Sequence, residues 1–212
     1  MKTLVLGQYG RMGRRYSAIL SHLGVDYDGW DVTEVGESHT PNIGRLCPSL
    51  HNFARVIICT PTEHHIDNIY QCLQAGVKWI LCEKPVAMSL EKVQDLITKV
   101  HRSDLRVVCN WAYVFDKRTL GVRSHDVWYR NWYSGQHSID WNCIQLHYLS
   151  RDWADLGVGP RFQTRIDGEQ VTLGDIDDSY IRMLQQWYRD PEGLWGTADI
   201  LEQTRLIASH PA

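Results

Sequence analysis

Apolar positions in the first half of the chain come in short continuous runs separated by stretches of helical spacing. "TLVLG" (3–7) reads as a strand running into glycine, and "RMGRRYSAILSHLG" (11–24) as a helix ending at Gly24. "DYDGWD" (26–31) is a candidate second strand. "RVIICT" (55–60) holds a continuous apolar run, the pattern of a strand covered on both faces. Ile66, Ile69, Tyr70 and Leu73 then fall at i, i+3, i+4 and i+7, which predicts a helix with Gly76 at its C′ position. "KWILCE" (78–83) is another strand. Ser89 is placed to cap a helix bearing Val93, Leu96, Ile97 and Val100. "LRVVCN" (105–110) is the last buried run. This alternation predicts a parallel sheet with helices on both faces.

The pattern changes near residue 111. Seven of the nine tryptophans lie beyond Asn110. "RFQTRIDGEQVTL" (161–173) reads as a hairpin turning at Asp167-Gly168. Two helices are expected at the end. One starts near Asp178 and carries Ile181, Leu184, Trp187 and Tyr188; the other starts near Thr197 and carries Ile200, Leu201, Ile207 and Ala208. The expected fold class is α/β, with a Rossmann-type parallel sheet over 1–112 and a reduced α+β domain over 113–212.

Composition narrows the functional classes. Of 212 residues, 43% are hydrophobic, enough for a substantial core. The net charge of −3 gives little attraction to nucleic acid or anionic membranes, which need clustered Lys and Arg, and Arg11, Arg14 and Arg15 form only a local cluster. No apolar run approaches the ~20 residues that span a bilayer, and "MKTLVLG" is too short for a signal peptide. The six cysteines form no CxxC pair, and Cys59, Cys82 and Cys109 lie in predicted strands. Reduced core thiols, no metal site and a cytoplasmic location are the expectations.

"GQYGRMG" (7–13) follows the first strand and opens the first helix. Glycines there permit a tight turn and close approach to a pyrophosphate, with the helix N-terminus facing it. The spacing Gly7, Gly10, Gly13 holds one residue more than the GxGxxG dinucleotide fingerprint. Asp31 ends the second candidate strand, where a carboxylate can accept hydrogen bonds from the adenosine ribose. It would repel a 2′-phosphate, so NAD is favoured over NADP.

"VLGQYGRMGRR" at the start, Thr60-Pro61, His65 four residues later, and Glu83-Lys84-Pro85 occur in that order. Over roughly residues 1–112 this combination resembles the Gfo/Idh/MocA family of NAD(P)-dependent oxidoreductases. The resemblance implies that Gly7, Gly10, Arg11 and Met12 cradle the pyrophosphate, with Tyr9 also among the cofactor-binding residues. Thr60 and Pro61 would lie beside the nicotinamide, with His65 holding their loop and Glu83 beside the lysine. Lys84 would touch the nicotinamide ribose and the reacting hydroxyl. An ammonium there stabilises the alkoxide that develops as the hydroxyl proton is taken and hydride departs.

The family also carries D-x-G-x-H-x-x-D in its second domain. Residues 133–140 align as Tyr133, Gly135, His137 and Asp140, with tyrosine in place of the first aspartate. His137 then suits proton transfer, and Asp140 three residues on can orient its ring. Tyr133 cannot serve as a carboxylate but can donate a hydrogen bond. Only 53 positions separate Lys84 from His137, so the sheet expected in this domain is pared down.

The leading expectation is hydride transfer between nicotinamide and a secondary alcohol or ketone of a sugar, cyclitol or nucleotide sugar. The protein would act on a small molecule as a homo-oligomer, most simply a dimer. The alternative is a family member that binds dinucleotide with altered or lost catalysis. A third reading is an imine or double-bond reductase, since the glycine spacing is similar to that of dihydrodipicolinate reductases. The Glu-Lys-Pro motif argues against it.

Overall fold

A computed structural model describes residues 2–31, 50–109, 125–131, 153–158, 164–166, 169–171, 176–194 and 196–209. The chain divides into two compact units, Met1–Asn110 with Leu194–Leu201, and Trp111–Gly193 with Glu202–Ala212.

The first unit is built on a five-stranded parallel sheet in the order β2-β1-β3-β4-β5. Its strands are β1 (Thr3–Leu6), β2 (Tyr27–Trp30), β3 (Arg55–Ile58), β4 (Trp79–Cys82) and β5 (Arg106–Cys109). Pairing is in register from Thr3↔Arg55 to Leu6↔Ile58, from Arg55↔Trp79 to Ile58↔Cys82, and from Trp79↔Arg106 to Cys82↔Cys109. Four-residue apolar strands suit this position. Every residue of β1 and the last three of β3, β4 and β5 are buried, which requires cover on both faces. β2 pairs only with β1 among the described residues and is only partly buried.

Helices α1 (Arg11–His22), α2 (His65–Gln74) and α3 (Leu90–Val100) connect these strands. Each buries one stripe: Gly13, Tyr16, Ile19 and Leu20 on α1, Ile66, Ile69 and Cys72 on α2, and Val93, Leu96 and Val100 on α3. Their ends are set by local chemistry. Gly24 and Gly76 adopt φ of 66° and 75° just past α1 and α2, a region open mainly to glycine. Ser89 caps α3, its hydroxyl accepting the Lys92 N–H at 3.4 Å.

The second unit contains a four-stranded sheet in the order β7-β6-β8-β9, from β6 (His125–Asn131), β7 (Trp153–Val158), β8 (Thr164–Ile166) and β9 (Glu169–Val171). β8 and β9 are antiparallel with Ile166 opposite Glu169, the register of a two-residue connection at 167–168. The parallel pairing of β6 with β7 was not expected from the sequence. Helix α4 (Ile176–Arg189) buries Tyr180, Met183, Leu184 and Trp187. Helix α5 (Thr197–Ser209) begins at the expected threonine, and its N-terminal part belongs to the first unit. There Gly196 approaches β5, since an added Cβ would lie 3.9 Å from the Val107 carbonyl oxygen.

Candidate active site in the first unit

In an open parallel sheet ligands bind outside the carboxyl ends of the strands, where connections leave in opposite directions. Here that point lies between β1 and β3, because β2 is on one side of β1 and β3 on the other. The loops after β1, β3 and β4 carry the three sequence motifs to this edge.

The glycine turn follows β1. The Gly7 and Gln8 N–H groups donate to the Trp30 carbonyl at 2.8 and 3.3 Å, which ties the turn to the end of β2. Gly7 has φ of 79°, and an added Cβ would lie 2.8 Å from the Cys59 carbonyl oxygen. The turn after β1 therefore rests directly on the loop after β3. Gly13 is equally constrained: its Cβ would overlap Gly7 O and lie 2.6 Å from Gln8 Cα. Gly10 differs. Its backbone is extended at φ −66° and ψ 165°, and an added Cβ would meet only Gly7 O, at 3.3 Å. Two of the three glycines are thus required by packing. The third leaves the space beside the α1 N-terminus open, as a pyrophosphate needs. No side chain caps that helix and no acidic residue stands in its first turn, where Arg11 and Met12 lie.

The residue added to the turn is tied down on both sides. The Tyr9 N–H donates to Asp31 Oδ2 at 2.8 Å, and its carbonyl accepts from Arg14 Nε at 2.8 Å. Its ring is exposed. Asp31, just past β2, therefore lies beside the glycine turn.

The loop after β3 carries Thr60 and Pro61, and α2 holds it with two side chains. The His65 ring is 1% exposed, with Nε2 2.7 Å from the Thr60 carbonyl oxygen and Nδ1 2.8 Å from that of Pro85. One ring thus spans the Thr60 and Pro85 loops. Burial pushes its pKa below the ordinary value, opposed by the two carbonyls and by the charges of Glu83 and Glu63. Neutral imidazole carries one N–H and donates to one carbonyl at a time; imidazolium donates to both. Asn68, one turn along the same face, donates from Nδ2 to Thr60 Oγ1 at 2.7 Å. Asn68 was missed in the sequence, although its i+3 spacing from His65 was the available signal.

Glu83, Lys84 and Pro85 follow β4, and the Lys84–Pro85 peptide is cis. The Glu83 N–H donates to the Ile58 carbonyl at 2.9 Å and extends the β3–β4 ladder by one residue. Its buried carboxylate accepts the Tyr16 hydroxyl at Oε1, 3.0 Å away, and the Lys84 N–H at Oε2, 3.3 Å away. Helical spacing marks Tyr16 only as a core position, with no signal of its partner Glu83. Cys59 and Cys82 lie close by, and burial, with a contribution from Glu83, pushes both thiols well above their ordinary pKa. Both are free thiols, Cys82 buried in the core and Cys59 half-buried, and a raised pKa makes each a poor nucleophile.

All expected first-unit positions, Gly7, Tyr9, Gly10, Arg11, Met12, Asp31, Thr60, Pro61, His65, Glu83 and Lys84, thus lie on the loops and helix ends at this edge. Tyr133, His137 and Asp140 lie outside the described residues. Among the described residues no group of three His, Cys, Asp or Glu side chains is placed to hold a metal ion. No helix there is long and apolar enough to cross a membrane.

A parallel sheet with a glycine turn at its switch point, an uncapped helix after it and an acidic residue past β2 defines a dinucleotide-binding α/β protein. Residues 1–111 match the family model described as "Oxidoreductase family, NAD-binding Rossmann fold". The chain belongs to this family, Gfo/Idh/MocA. A curated relative, inositol 2-dehydrogenase of Rhizobium meliloti (strain 1021), is 35% identical over 68 residues, which is 32% of this chain and 20% of the relative. Among solved structures, the WlbA (WbpB) dehydrogenase of Thermus thermophilus in complex with NAD and alpha-ketoglutarate superposes with a TM-score of 0.74 at 14% identity, covering 98% of this chain and 94% of that one. UDP-N-acetylglucosamine 3-dehydrogenase GnnA of Acidithiobacillus ferrooxidans gives 0.69 at 15% identity, covering 99% and 96%. At these identities the structural likenesses speak for the fold.

Proposed function

We propose that the protein oxidises a secondary alcohol of a sugar, cyclitol or nucleotide sugar with NAD, or reduces the corresponding ketone with NADH. The observation that carries this reading is the position of Lys84. It leaves the carboxyl end of β4 on a turn held by buried side chains, on the same sheet edge as the glycine turn and the Thr60 loop. The names of the relatives point to the same substrate chemistry.

Gly7, Gly10 and the first turn of α1, with Arg11 and Met12, take the pyrophosphate. Asp31 accepts from the adenosine ribose and disfavours a 2′-phosphate, which selects NAD. Tyr9 borders that half of the site, while Thr60 and Pro61 support the nicotinamide. When bound, the nicotinamide supplies the hydride acceptor at C4. The alcohol carbon gives up a hydride and its hydroxyl a proton, leaving a ketone, NADH and a protonated base. The Lys84 ammonium stabilises the alkoxide between these losses. On the resemblance alone, His137 takes the proton, Asp140 orients its ring, and Tyr133 donates a hydrogen bond to the substrate oxygen. Residues 113–212 form the substrate domain and the contacts of a cytoplasmic homodimer.

The test is Lys84→Ala, assayed with myo-inositol and with UDP-N-acetylglucosamine. Turnover is lost while NADH affinity stays within about threefold, since Lys84 acts mainly on the developing charge. Turnover equal to wild type overturns the assignment. Tyr133 favours a second reading, in which the protein binds dinucleotide without turnover. Tight NADH binding with no redox of any alcohol or carbonyl in a broad panel would support that reading instead.

A further inference from the structure

We propose that Tyr16 is a positioning residue for Lys84, acting through Glu83. This rests on the reading of Lys84 as the group that faces the reacting oxygen. Tyr16 lies on the sheet-facing stripe of α1, one turn beyond Gly13, and is 0% exposed. Phenylalanine would fill a core position of this kind without the need of a polar partner. The hydroxyl is accommodated because it reaches across to the end of β4, 67 residues along the chain, and donates to Glu83 Oε1 at 3.0 Å. Removing a buried phenol's partner leaves a desolvated polar group, so the contact constrains both side chains.

Glu83 is 6% exposed. Its second oxygen accepts the N–H of the next residue, Lys84, and its own N–H is fixed on β3. The carboxylate is therefore held from two sides, and the hydroxyl of Tyr16 sets the rotamer that brings it back over its own peptide. Through its bond to the Lys84 N–H the carboxylate fixes the peptide from which the Lys84 side chain leaves. The same helix begins at Gly10, where the pyrophosphate is read to bind. Tyr16 thus links the helix that receives the cofactor to the turn that presents the lysine.

The experiment is competitive chemical labelling of the intact protein with acetic anhydride over a range of pH, read by mass spectrometry at each lysine. Tyr16→Phe is compared with wild type, and the exposed Lys78 and Lys92 serve as internal controls. The expected result is a change of at least ~3-fold in the labelling rate of Lys84, with the controls unchanged, because only the neighbourhood of Glu83 has lost a charge-assisted hydrogen bond. A general loosening would move all three lysines together. Glu83→Gln keeps an acceptor for Tyr16 but removes the charge. It should alter the Lys84 profile as well, and an unchanged profile overturns action through Glu83 even if Tyr16→Phe folds poorly. Wild-type labelling of Lys84 in both variants overturns the proposal. NADH binding is measured on the same samples: its absence in wild type would refute the dinucleotide reading, while the labelling comparison still decides on Tyr16.

Discussion

Replacing Gly10 by alanine should separate the cofactor cradle from the fold, and Gly13→Ala should do the reverse. At Gly10 the backbone is extended and suits any residue, and the new methyl would meet only Gly7 O at 3.3 Å. Alanine is a poorer N-cap than glycine, but it also lowers the entropy of the unfolded chain by ~0.4–1 kcal/mol. These effects oppose each other, so stability should change by no more than about 1 kcal/mol, or ~2–4 °C in Tm for a chain of this size. The methyl would nevertheless occupy the space through which a pyrophosphate approaches the α1 N-terminus. A loss of at least tenfold in NADH affinity is expected, equal to ~1.4 kcal/mol. At Gly13 the methyl overlaps Gly7 O and lies 2.6 Å from Gln8 Cα and 2.7 Å from Gly7 C, all backbone atoms that cannot swing aside. Overpacking of this kind costs ~1–3 kcal/mol, several degrees or more in Tm. The assays are thermal unfolding without ligand and NADH fluorescence titration. Wild-type NADH affinity in a well-folded Gly10→Ala would refute the placement of the pyrophosphate. An unchanged Tm in Gly13→Ala would refute the packing argument.

Further outcomes follow from the same geometry. His65 binds a proton less readily folded than unfolded, so the unfolded state takes up more protons as pH falls from about 6.5 through the depressed folded value. Its stabilising contribution is full above that window and lost within it; urea titrations should show an acid-side loss that is smaller in His65→Leu. Asp31→Ser should improve NADPH binding relative to NADH, because a carboxylate no longer faces the 2′-phosphate; an unchanged ratio of Kd values would argue against that role. Ser89→Ala removes the α3 cap, whose bond is long at 3.4 Å. The expected cost is therefore at the lower end of ~0.5–2 kcal/mol, with no change in NADH affinity.

What the sequence made legible was local. The continuous apolar runs at 55–60 and 78–83 identify buried strands because such strands need cover on both faces. Gly24, Gly76 and Ser89 end or begin helices through their own backbone and side-chain chemistry. The dinucleotide motifs are equally local, each a loop at one strand end. Less legible were the contacts made by the order of strands. Helical spacing shows that Tyr16 faces the core, but only the sheet brings its hydroxyl to Glu83. Asn68 reads as a polar position on an amphipathic helix until the β3 loop is seen against it. The parallel pairing of β6 and β7 joins segments 22 residues or more apart, with no turn signal to announce it. The pairing of β8 with β9 was anticipated because Asp167-Gly168 sits between them.

The division of the chain also bears on how the protein is made. The first unit ends at Asn110 and resumes at Leu194, so a chain emerging from the ribosome has all five strands of the sheet long before Gly196 can settle against β5. At synthesis rates of ~5–20 residues per second the wait is on the order of 4–17 s, long compared with the folding of a small domain. During that interval the sheet must stand on its own helices, and the last piece docks onto a partner already formed. The chain thus leaves the first unit at Asn110 and returns to it at Leu194, so the first unit is completed only by a late piece of sequence.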